Sequence, residues 1–246
     1  MYEKAANLLK KSGRIVFFTG AGVSTESGIP DFRSKDGLYS KGDYEGYPPE
    51  EILSLDFFHF NTPLFYRFYR DHLVRENVMP NPCHMAIAQI EKSGKDVTVI
   101  TQNIDGLHQK AGSGSVLELH GSINRNYCMG CGQKYGLLHV AACEGVPLCG
   151  SCGGVVRPEV TLYGEMLDEM IMETSWRILF ECDMLFVMGT SLTVYPAASL
   201  VNAYAGNRLI LINRGRTSQD HRANLLIDAA CGQAMSKILE EYRKLP

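Results

Sequence analysis

Short runs of consecutive apolar residues constrain the fold of this chain more than any other feature. Such runs are typical of strands buried on both faces, as in a parallel sheet. They occupy residues 14–18, 97–100, 184–188 and 209–212. Segments with helical spacing lie between or after them, at residues 84–91, 169–180, 197–204 and 234–242. This alternation predicts an α/β fold with a doubly wound, Rossmann-like parallel sheet.

Two segments interrupt the alternation. The first begins with a loop rich in Gly, Tyr and Pro and continues into an aromatic stretch at residues 57–69; the second contains paired cysteines and many glycines. We interpret both as insertions that together build a smaller domain. The expected boundaries are a large domain of residues 1–34, 78–121 and 159–246, a helical insertion of residues 35–77 and a cysteine-containing insertion of residues 122–158.

The overall charge argues against some classes of partner. The net charge is −3, so no basic field exists to hold a nucleic-acid backbone. No apolar run is long enough to span a bilayer, and residues 1–12 have the pattern of an amphipathic helix rather than of a signal peptide. We therefore expect a soluble cytoplasmic protein that binds neither nucleic acid nor membrane, with a monomer favoured.

Four of the eight cysteines form two Cys-x-x-Cys pairs, and this spacing is typical of a metal site. Each pair presents two thiolates to one ion, and two pairs complete a tetrahedron with no open position, which predicts a structural zinc site. A redox dithiol or the replacement of one ligand by Cys143 is a weaker alternative. The expected ligands are Cys128, Cys131, Cys149 and Cys152, so the second insertion is a zinc-binding insertion.

Glycines follow the first predicted strand at Gly20 and Gly22. Glycines there let the backbone approach a phosphate, and a helix starting after them would add free N–H groups. The string departs from the dehydrogenase fingerprint, because Thr25 stands at the third glycine position and no acidic strand end follows. We therefore expect a phosphate-bearing ligand rather than hydride transfer, with a tight structural turn as the alternative.

Polar residues follow the other predicted strands. Asn103 and Asp105 come after one, Ser191 and Asn213 after two more. In an open parallel sheet, ligands bind beyond the carboxyl ends of the strands. We expect these side chains and Ser24 to surround one ligand.

Longer motifs resemble one family. Residues 20–33 (GAGVSTESGIPDFR), 101–108 (TQNIDGLH), His120-Gly121 and 189–198 (GTSLTVYPAA) occur in this order, with the paired cysteines between the last two. This series resembles the sirtuins, which are NAD-dependent protein lysine deacylases, over nearly the whole chain. The resemblance implies NAD as a consumed co-substrate and one structural Zn²⁺.

The resemblance also implies where NAD lies. The pyrophosphate would lie on the 20–24 loop, the nicotinamide ribose against Gln102 and Asn103, and the adenosine half near the strand ends of the second half of the sheet. Phe32 and Arg33 would cover the nicotinamide. The implied NAD contacts are Gly20, Ala21, Gly22, Ser24, Thr25, Phe32, Arg33, Gln102, Asn103, Ile104, Asp105, Thr190, Ser191, Asn213 and the backbone near Cys231.

The implied catalytic residues are His120 and Asn103. His120 would act as a base through the ribose hydroxyls, a role that neutral imidazole can fill near neutral pH. The acyl group passes from lysine to ADP-ribose, releasing nicotinamide and O-acetyl-ADP-ribose. His108 is expected to support the site, and the remaining histidines to be structural or on the surface.

Residues 157–165 resemble the peptide-binding strand of the family, although they depart from it at Thr161 and Leu162. Main-chain pairing of an extended acyl-lysine peptide implies loose sequence specificity. The expected substrate contacts are Val160, Tyr163, Gly164, Glu165, Val194 and Tyr66.

The acyl group is expected to be acetyl. Family members that prefer succinyl groups have Tyr-x-x-Arg in the helical insertion, and here Tyr66 is followed by Tyr69 at the arginine position. Arg67 and Arg70 lie nearby, so preference for other acyl groups stays open. Protein mono-ADP-ribosylation and a non-enzymatic zinc-ribbon interaction module are the remaining alternatives. The aromatic stretch of the insertion would line an acyl tunnel or form a small core.

Overall fold

The computed structural model describes all residues, Met1–Pro246. Nine strands form two sheets. The strands are β1 (Arg14–Thr19), β2 (Asp96–Thr101), β3 (Val116–Glu118), β4 (Gly121–Cys128), β5 (Lys134–Tyr135), β6 (Val156–Val160), β7 (Met184–Met188), β8 (Leu209–Ile212) and β9 (Leu225–Ile227).

Nine α-helices accompany the strands. They are α1 (Tyr2–Lys10), α2 (Pro49–Ile52), α3 (Leu55–Phe60), α4 (Thr62–His72), α5 (Pro82–Lys92), α6 (Leu107–Ala111), α7 (Leu137–Ala141), α8 (Glu169–Glu181) and α9 (Cys231–Lys244). Short 3₁₀ turns cover Ala21–Val23, Thr25–Ser27, Leu38–Lys41, Ala197–Ala203 and Asp220–Arg222. No helix is long and apolar enough to cross a membrane.

The large sheet has the order β3-β2-β1-β7-β8-β9, and all neighbouring pairs are parallel. The chain winds outward from β1 through β2 to β3, returns to the middle at β7 and winds outward on the other side. This confirms the doubly wound fold and puts a topological switch point between β1 and β7. A ligand-binding crevice is expected there, at the carboxyl ends of the strands.

Both faces of the large sheet are covered, because successive side chains of a strand point to opposite faces. In β1, Ile15 and Phe17 join the core that includes α1, α5 and α9. Val16 and Phe18 join the opposite core, which includes α8 and the turn Ala197–Ala203. Continuous apolar runs therefore correctly predicted these strands.

The two insertions share one core. Aromatic residues of the helical insertion, among them Phe57, Phe58 and Phe65, pack in one cluster with Ile123 and Val156 of the second insertion. Three antiparallel strands in the order β5-β4-β6 form the small sheet. Most residues of the aromatic stretch therefore form a small core, which was the alternative to an acyl tunnel, although Phe60 is exposed.

Three local expectations differ from the structure. The edge strands β3 and β9 were not predicted, because each has three residues and carries little pattern. Residues 197–203 form a 3₁₀ rather than an α-helix. The segment after Gly20 forms two short 3₁₀ turns, so no α-helix N-terminus points at the expected phosphate position.

Candidate active site

The glycine loop after β1 rests directly on the loop after β7. Gly20 N donates to Met188 O at 3.0 Å, and Gly22 N donates to Gly189 O at 2.8 Å. A Cβ atom on Gly22 would lie 2.8 Å from Gly189 Cα, closer than such atoms can approach. The glycines therefore permit backbone contact across the switch point, and this contact builds the floor of the crevice.

A hydrogen-bonded chain links the glycine loop to the loop after β2. Asn103 Nδ2 donates to Ser24 Oγ at 3.1 Å, and Ser24 Oγ donates to Asp105 Oδ2 at 2.6 Å. Asp105 Oδ1 accepts from Leu107 N at 2.9 Å. Burial raises the pKa of Asp105, and the bonds from Ser24 and Leu107 oppose that rise. Three residues expected around one ligand therefore lie together.

His120 lies just before β4 and is partly buried. Its Nδ1 lies 2.8 Å from the carbonyl oxygen of Gln102. A carbonyl only accepts, so Nδ1 carries the proton and the lone pair of the neutral ring lies on Nε2. Burial lowers the pKa of His120, although the bond to Gln102 raises it. The structure thus holds His120 as a neutral base with one defined tautomer.

The backbone conformation after His120 shows why a glycine stands at position 121. Its φ is +76°, and a Cβ atom there would lie 1.9 Å from Glu159 O on β6. Only glycine fits this close approach. The turn that aims His120 is therefore fixed by the pairing of β4 with β6.

The second half of the sheet supplies the remaining expected cofactor residues. Gln102 Nε2 donates to Thr190 Oγ1 at 3.1 Å, which joins the β2 and β7 loops. Ser191 is exposed after β7, Asn213 is partly buried after β8, and Cys231 is buried at the start of α9. Burial raises the pKa of Cys231 to about 12, so its thiol stays protonated and only its backbone is suited to a ligand.

Phe32 and Arg33 lie on a closed loop beside the crevice. Asp31 O accepts from Leu38 N at 2.8 Å and Phe32 O accepts from Tyr39 N at 2.9 Å, which closes the segment into loop 31–39. The Phe32 side chain is partly exposed and Arg33 is exposed. Both residues therefore remain accessible to a ligand.

The sequence did not single out two side chains that support the glycine loop, the buried Asn81 and the exposed Glu26. Asn81 Nδ2 donates to Val23 O at 2.7 Å and to Ser27 Oγ at 3.0 Å, while the same side chain caps α5. Glu26 Oε2 accepts from Gly232 N at 2.5 Å near the start of α9. The pair Asn81-Pro82 carries a recognisable helix-start signal; Glu26 carries none, because its partner lies 206 residues away.

His108 supports the same region, as expected. Its Nε2 lies 3.1 Å from Thr19 Oγ1 at the end of β1, and its ring contacts that of His84 at a centroid distance of 4.7 Å. Burial lowers the pKa of both rings. These histidines are uncharged packing residues beneath the site.

The four paired cysteines converge. All four sulfur atoms lie within 4.8 Å of one another. Cys128 and Cys152 sulfurs are 3.4 Å apart, and those of Cys131 and Cys149 are 3.6 Å apart. Tetrahedral zinc with Zn–S bonds of about 2.3 Å separates its sulfurs by about 3.8 Å. The donor set therefore fits one structural zinc ion.

The expected substrate residues divide into two groups. Tyr163 is 39% exposed, and Val194 is partly exposed. Gly164 is exposed with a φ of +90°. Val160 is nearly buried on β6, so it offers mainly its backbone. Glu165 Oε2 pairs with Arg157 and also accepts from Leu162 N at 2.8 Å, so this oxygen is engaged within the protein.

The expectation that Tyr66 contacts the substrate is wrong in this structure. Tyr66 is fully buried, its ring packs against Phe58 and Phe65, and its hydroxyl donates to Val156 O. The aromatic core of the small domain encloses this side chain. Tyr69 is also fully buried, so neither tyrosine faces a substrate groove.

Comparison with known proteins agrees with this geometry. The profile of the Sir2 family matches residues 20–196. An NAD-dependent protein deacetylase of Clostridium acetobutylicum is 49% identical over 94% of this chain and 95% of its own.

Solved structures show the same fold. One from work on the mechanism and regulation of Sir2 enzymes is 41% identical, with a TM-score of 0.89 over 100% of this chain and 98% of that one. A Sir2 structure with a p53 peptide and NAD⁺ is 35% identical, with a TM-score of 0.86 over 98% of both chains. With the ordered motifs, the switch-point crevice and the four-cysteine cluster in agreement, the chain belongs to the Sir2 family, the sirtuins.

Proposed function

We propose that this protein is an NAD-dependent protein lysine deacetylase, which transfers the acetyl group of acetyl-lysine to ADP-ribose, consumes one water as the lysine amine is freed, and releases nicotinamide. One observation carries the proposal most directly. His120 is a neutral imidazole with a free Nε2 lone pair, held by the same β2 loop whose Asn103 and Asp105 join the glycine loop. Base and nucleotide cradle are thus built from one set of loops.

The crevice suits NAD as a consumed co-substrate. The glycine loop would lie against the pyrophosphate, since Ala21 and Gly22 are only partly buried at the end of β1. Gln102 and Asn103 would bind the nicotinamide ribose, and Ile104 and Asp105 the carboxamide. The adenosine half would lie at the strand ends on the other side of the switch point. The residues there are Thr190, Ser191, Asn213 and the backbone of Cys231.

His120 would accept a proton from a ribose hydroxyl at Nε2, while Gln102 O holds Nδ1–H and fixes the ring. Such general-base catalysis contributes about 10²–10⁴-fold in rate. Asn103 would position the ribose beside the acetyl oxygen. Holding the ribose and the acetyl oxygen in line supplies further acceleration and needs no catalytic metal. Four cysteine ligands leave the zinc ion no open coordination position, which fits a structural rather than a catalytic ion.

The substrate would be an acetylated protein or peptide bound as an extended strand beside residues 160–165 and Val194. A small neutral acyl group is favoured, because Tyr69 stands where family members that prefer succinyl groups have an arginine. Arg67 is already paired with Glu45 at 2.7 Å. Arg70 lies over the ring of Tyr66 at 5.7 Å and its buried Nη1 has no hydrogen-bond partner, so a succinyl-lysine peptide is the comparison that tests this preference.

We place this activity in the cytoplasm of its cell, as a monomer without nucleic acid. Reduced Cys-x-x-Cys pairs are typical of intracellular proteins, and a net charge of −3 does not favour a nucleic-acid backbone.

Mass spectrometry of acetyl-, butyryl- and succinyl-lysine peptides, incubated with and without NAD, tests the proposal. We expect loss of acetyl only with NAD, together with equal amounts of nicotinamide and O-acetyl-ADP-ribose. His120→Ala should lower turnover by about 10²–10⁴-fold, while His59→Ala, at an exposed position, should not. Cleavage of NAD without loss of any acyl group, with ADP-ribose on the protein instead, would contradict deacetylation.

A further inference from the structure

Tyr163 joins three parts of the molecule. Its backbone pairs with the helical insertion: Tyr163 N donates to Leu53 O, and Tyr163 O accepts from Leu55 N, both at 2.9 Å. Its side chain points the other way, toward loop 31–39. It also begins the exposed end of the segment expected to hold the peptide. One residue therefore contacts the insertion, the proposed peptide groove and the loop that carries Phe32.

The hydroxyl of Tyr163 has two polar partners on loop 31–39. It lies 2.8 Å from the hydroxyl of Tyr39 and accepts from Arg33 Nη2 at 3.3 Å. The Arg33 guanidinium carbon also lies 5.3 Å from the centre of the Tyr39 ring. We call these three side chains the tyrosine latch.

The latch fixes the neighbouring Phe32. The Phe32 and Tyr39 rings are 5.4 Å apart, and Phe32 O accepts from Tyr39 N. Gly37 closes the loop tightly, since a Cβ atom there would lie 2.7 Å from Phe32 C. Because Phe32 is tied to Tyr39 through both its backbone and its ring, a bond that holds Tyr39 also holds the ring of Phe32.

We propose that the Tyr163 hydroxyl is a positioning group that holds Phe32 and Arg33 over the nicotinamide end of the crevice, and so makes nicotinamide recognition depend on the peptide-binding segment. The inference rests on the proposed function, in which this loop covers nicotinamide. Tyr163 contacts no reacting atom in this scheme. A peptide that orders residues 160–165 would thereby order the cover of the nicotinamide.

Two single-atom deletions test the latch, namely Tyr163→Phe and Tyr39→Phe. Calorimetry measures the Kd of NAD and of ADP-ribose, which lacks nicotinamide, in the presence of an unacetylated peptide that cannot react. Turnover measures kcat, the KM for NAD and inhibition by nicotinamide. Tyr44→Phe is the matched control, because its hydroxyl donates to Asp71 at 2.5 Å within the same insertion but away from loop 31–39.

Loss of one hydrogen bond should weaken NAD binding and nicotinamide inhibition by about 3- to 10-fold. The Kd of ADP-ribose and the melting temperature should stay at wild-type values, and kcat at saturating NAD should change less than KM. The double variant should bind NAD no more weakly than Tyr163→Phe, because that change already removes both contacts of the Tyr163 hydroxyl, whereas Tyr39→Phe leaves the bond from Arg33. Tyr44→Phe should match the wild type in every measurement.

Unchanged NAD Kd and nicotinamide inhibition in both latch variants would overturn the inference. Equal weakening of ADP-ribose and NAD, or an equal effect of Tyr44→Phe, would overturn it as well, since a general loss of stability explains both. Failure of the proposed function looks different. The wild-type chain would then bind NAD without deacetylating the peptide. Comparison of the NAD and ADP-ribose Kd values between the wild type and the latch variants would still test the latch.

Discussion

The loops of the large sheet and the loops of the small domain are held in place by different means. In the large domain, apolar cores on both faces of the sheet fix β1 and β7, and the loops after them touch through glycine backbone. In the small domain, Cys128 and Cys149 belong to the apolar core, while Cys131 and Cys152 are exposed. One region is shaped by apolar packing and hydrogen bonds within the protein, and the other ends in a cluster of thiols suited to an ion.

This difference indicates which part of the active site exists before any ligand binds. The nucleotide cradle requires only the folded sheet, whereas the strand β6, which leads to the peptide segment, is paired with a strand that ends at a zinc ligand, Cys128. Removal of zinc should therefore affect peptide binding before it affects the cradle.

The largest expected effect is that of removing a zinc ligand. Structural zinc supplies about 10–16 kcal/mol in small zinc peptides, so Cys149→Ser should unfold the four-cysteine end of the small domain and reduce turnover by on the order of 100-fold or more. Hydrogen exchange should show lost protection in β4 and β6 and retained protection in β1 and β7. Cys143→Ser is the control and should keep one zinc per chain. Equal loss of protection in both sheets would break the comparison.

A smaller effect is expected from adding one methyl group to each region. Gly22→Ala places a Cβ atom against the Gly189 backbone, and overpacking of this kind costs about 1–3 kcal/mol. Its free energy of unfolding should fall and its KM for NAD should rise. Gly136→Ala in the small domain meets no atom within 4 Å at a φ of −85° and should be silent. Denaturant titrations of the two variants measure the contrast, and equal costs would contradict it.

The next effect concerns Glu26, which supplies the cap that α9 lacks from its own N-cap residue, Ala230. Glu26→Ala should lower the free energy of unfolding by about 0.5–1 kcal/mol, as for loss of a helix cap. It should raise the KM for NAD more than it lowers kcat, because the glycine loop loses its tie to the adenosine side. Glu240→Ala, exposed on the same helix, is the matched variant. A normal KM for Glu26→Ala would show that packing alone holds the loop.

The smallest effect is a pH dependence that arises from His120 beside the large sheet. Burial lowers the pKa of His120 below its ordinary 6.5, so the base form prevails at neutral pH. Activity should not depend on this group at neutral pH and above, and should fall about tenfold per unit below the lowered pKa. The same group favours folding above its unfolded pKa and loses that contribution as pH falls through the folded value. Steady-state rates with parallel zinc assays check this, and an acid limb above pH 6.5 would contradict it.

Patterns that repeat along a segment were predictable from the sequence. The four long strands of the large sheet, the helices of both its faces and the cysteine cluster all follow from spacing of residues close in the chain. The polar residues at strand ends, such as Asn103 and Asp105, were also found, because parallel strands end at one edge.

Contacts between distant positions could not be predicted in the same way. Glu26 meets Gly232 and Tyr39 meets Tyr163 across the folded molecule, and neither pair shares a local pattern. Tyr66 shows the opposite problem. An aromatic run has the same spacing whether it lines a cavity or fills a core, and here it forms part of the core of the small domain.

The order of the strands affects how the chain folds while it is synthesised on the ribosome. β1 is made before every other strand, yet its partner β7 begins only at Met184. At about 5–20 residues per second, β1 waits roughly 8–34 s with one hydrogen-bonding edge open. Both insertions are synthesised within that interval, so the small domain can capture its metal first. The centre of the large sheet closes late, and an open apolar edge is where newly made chains aggregate.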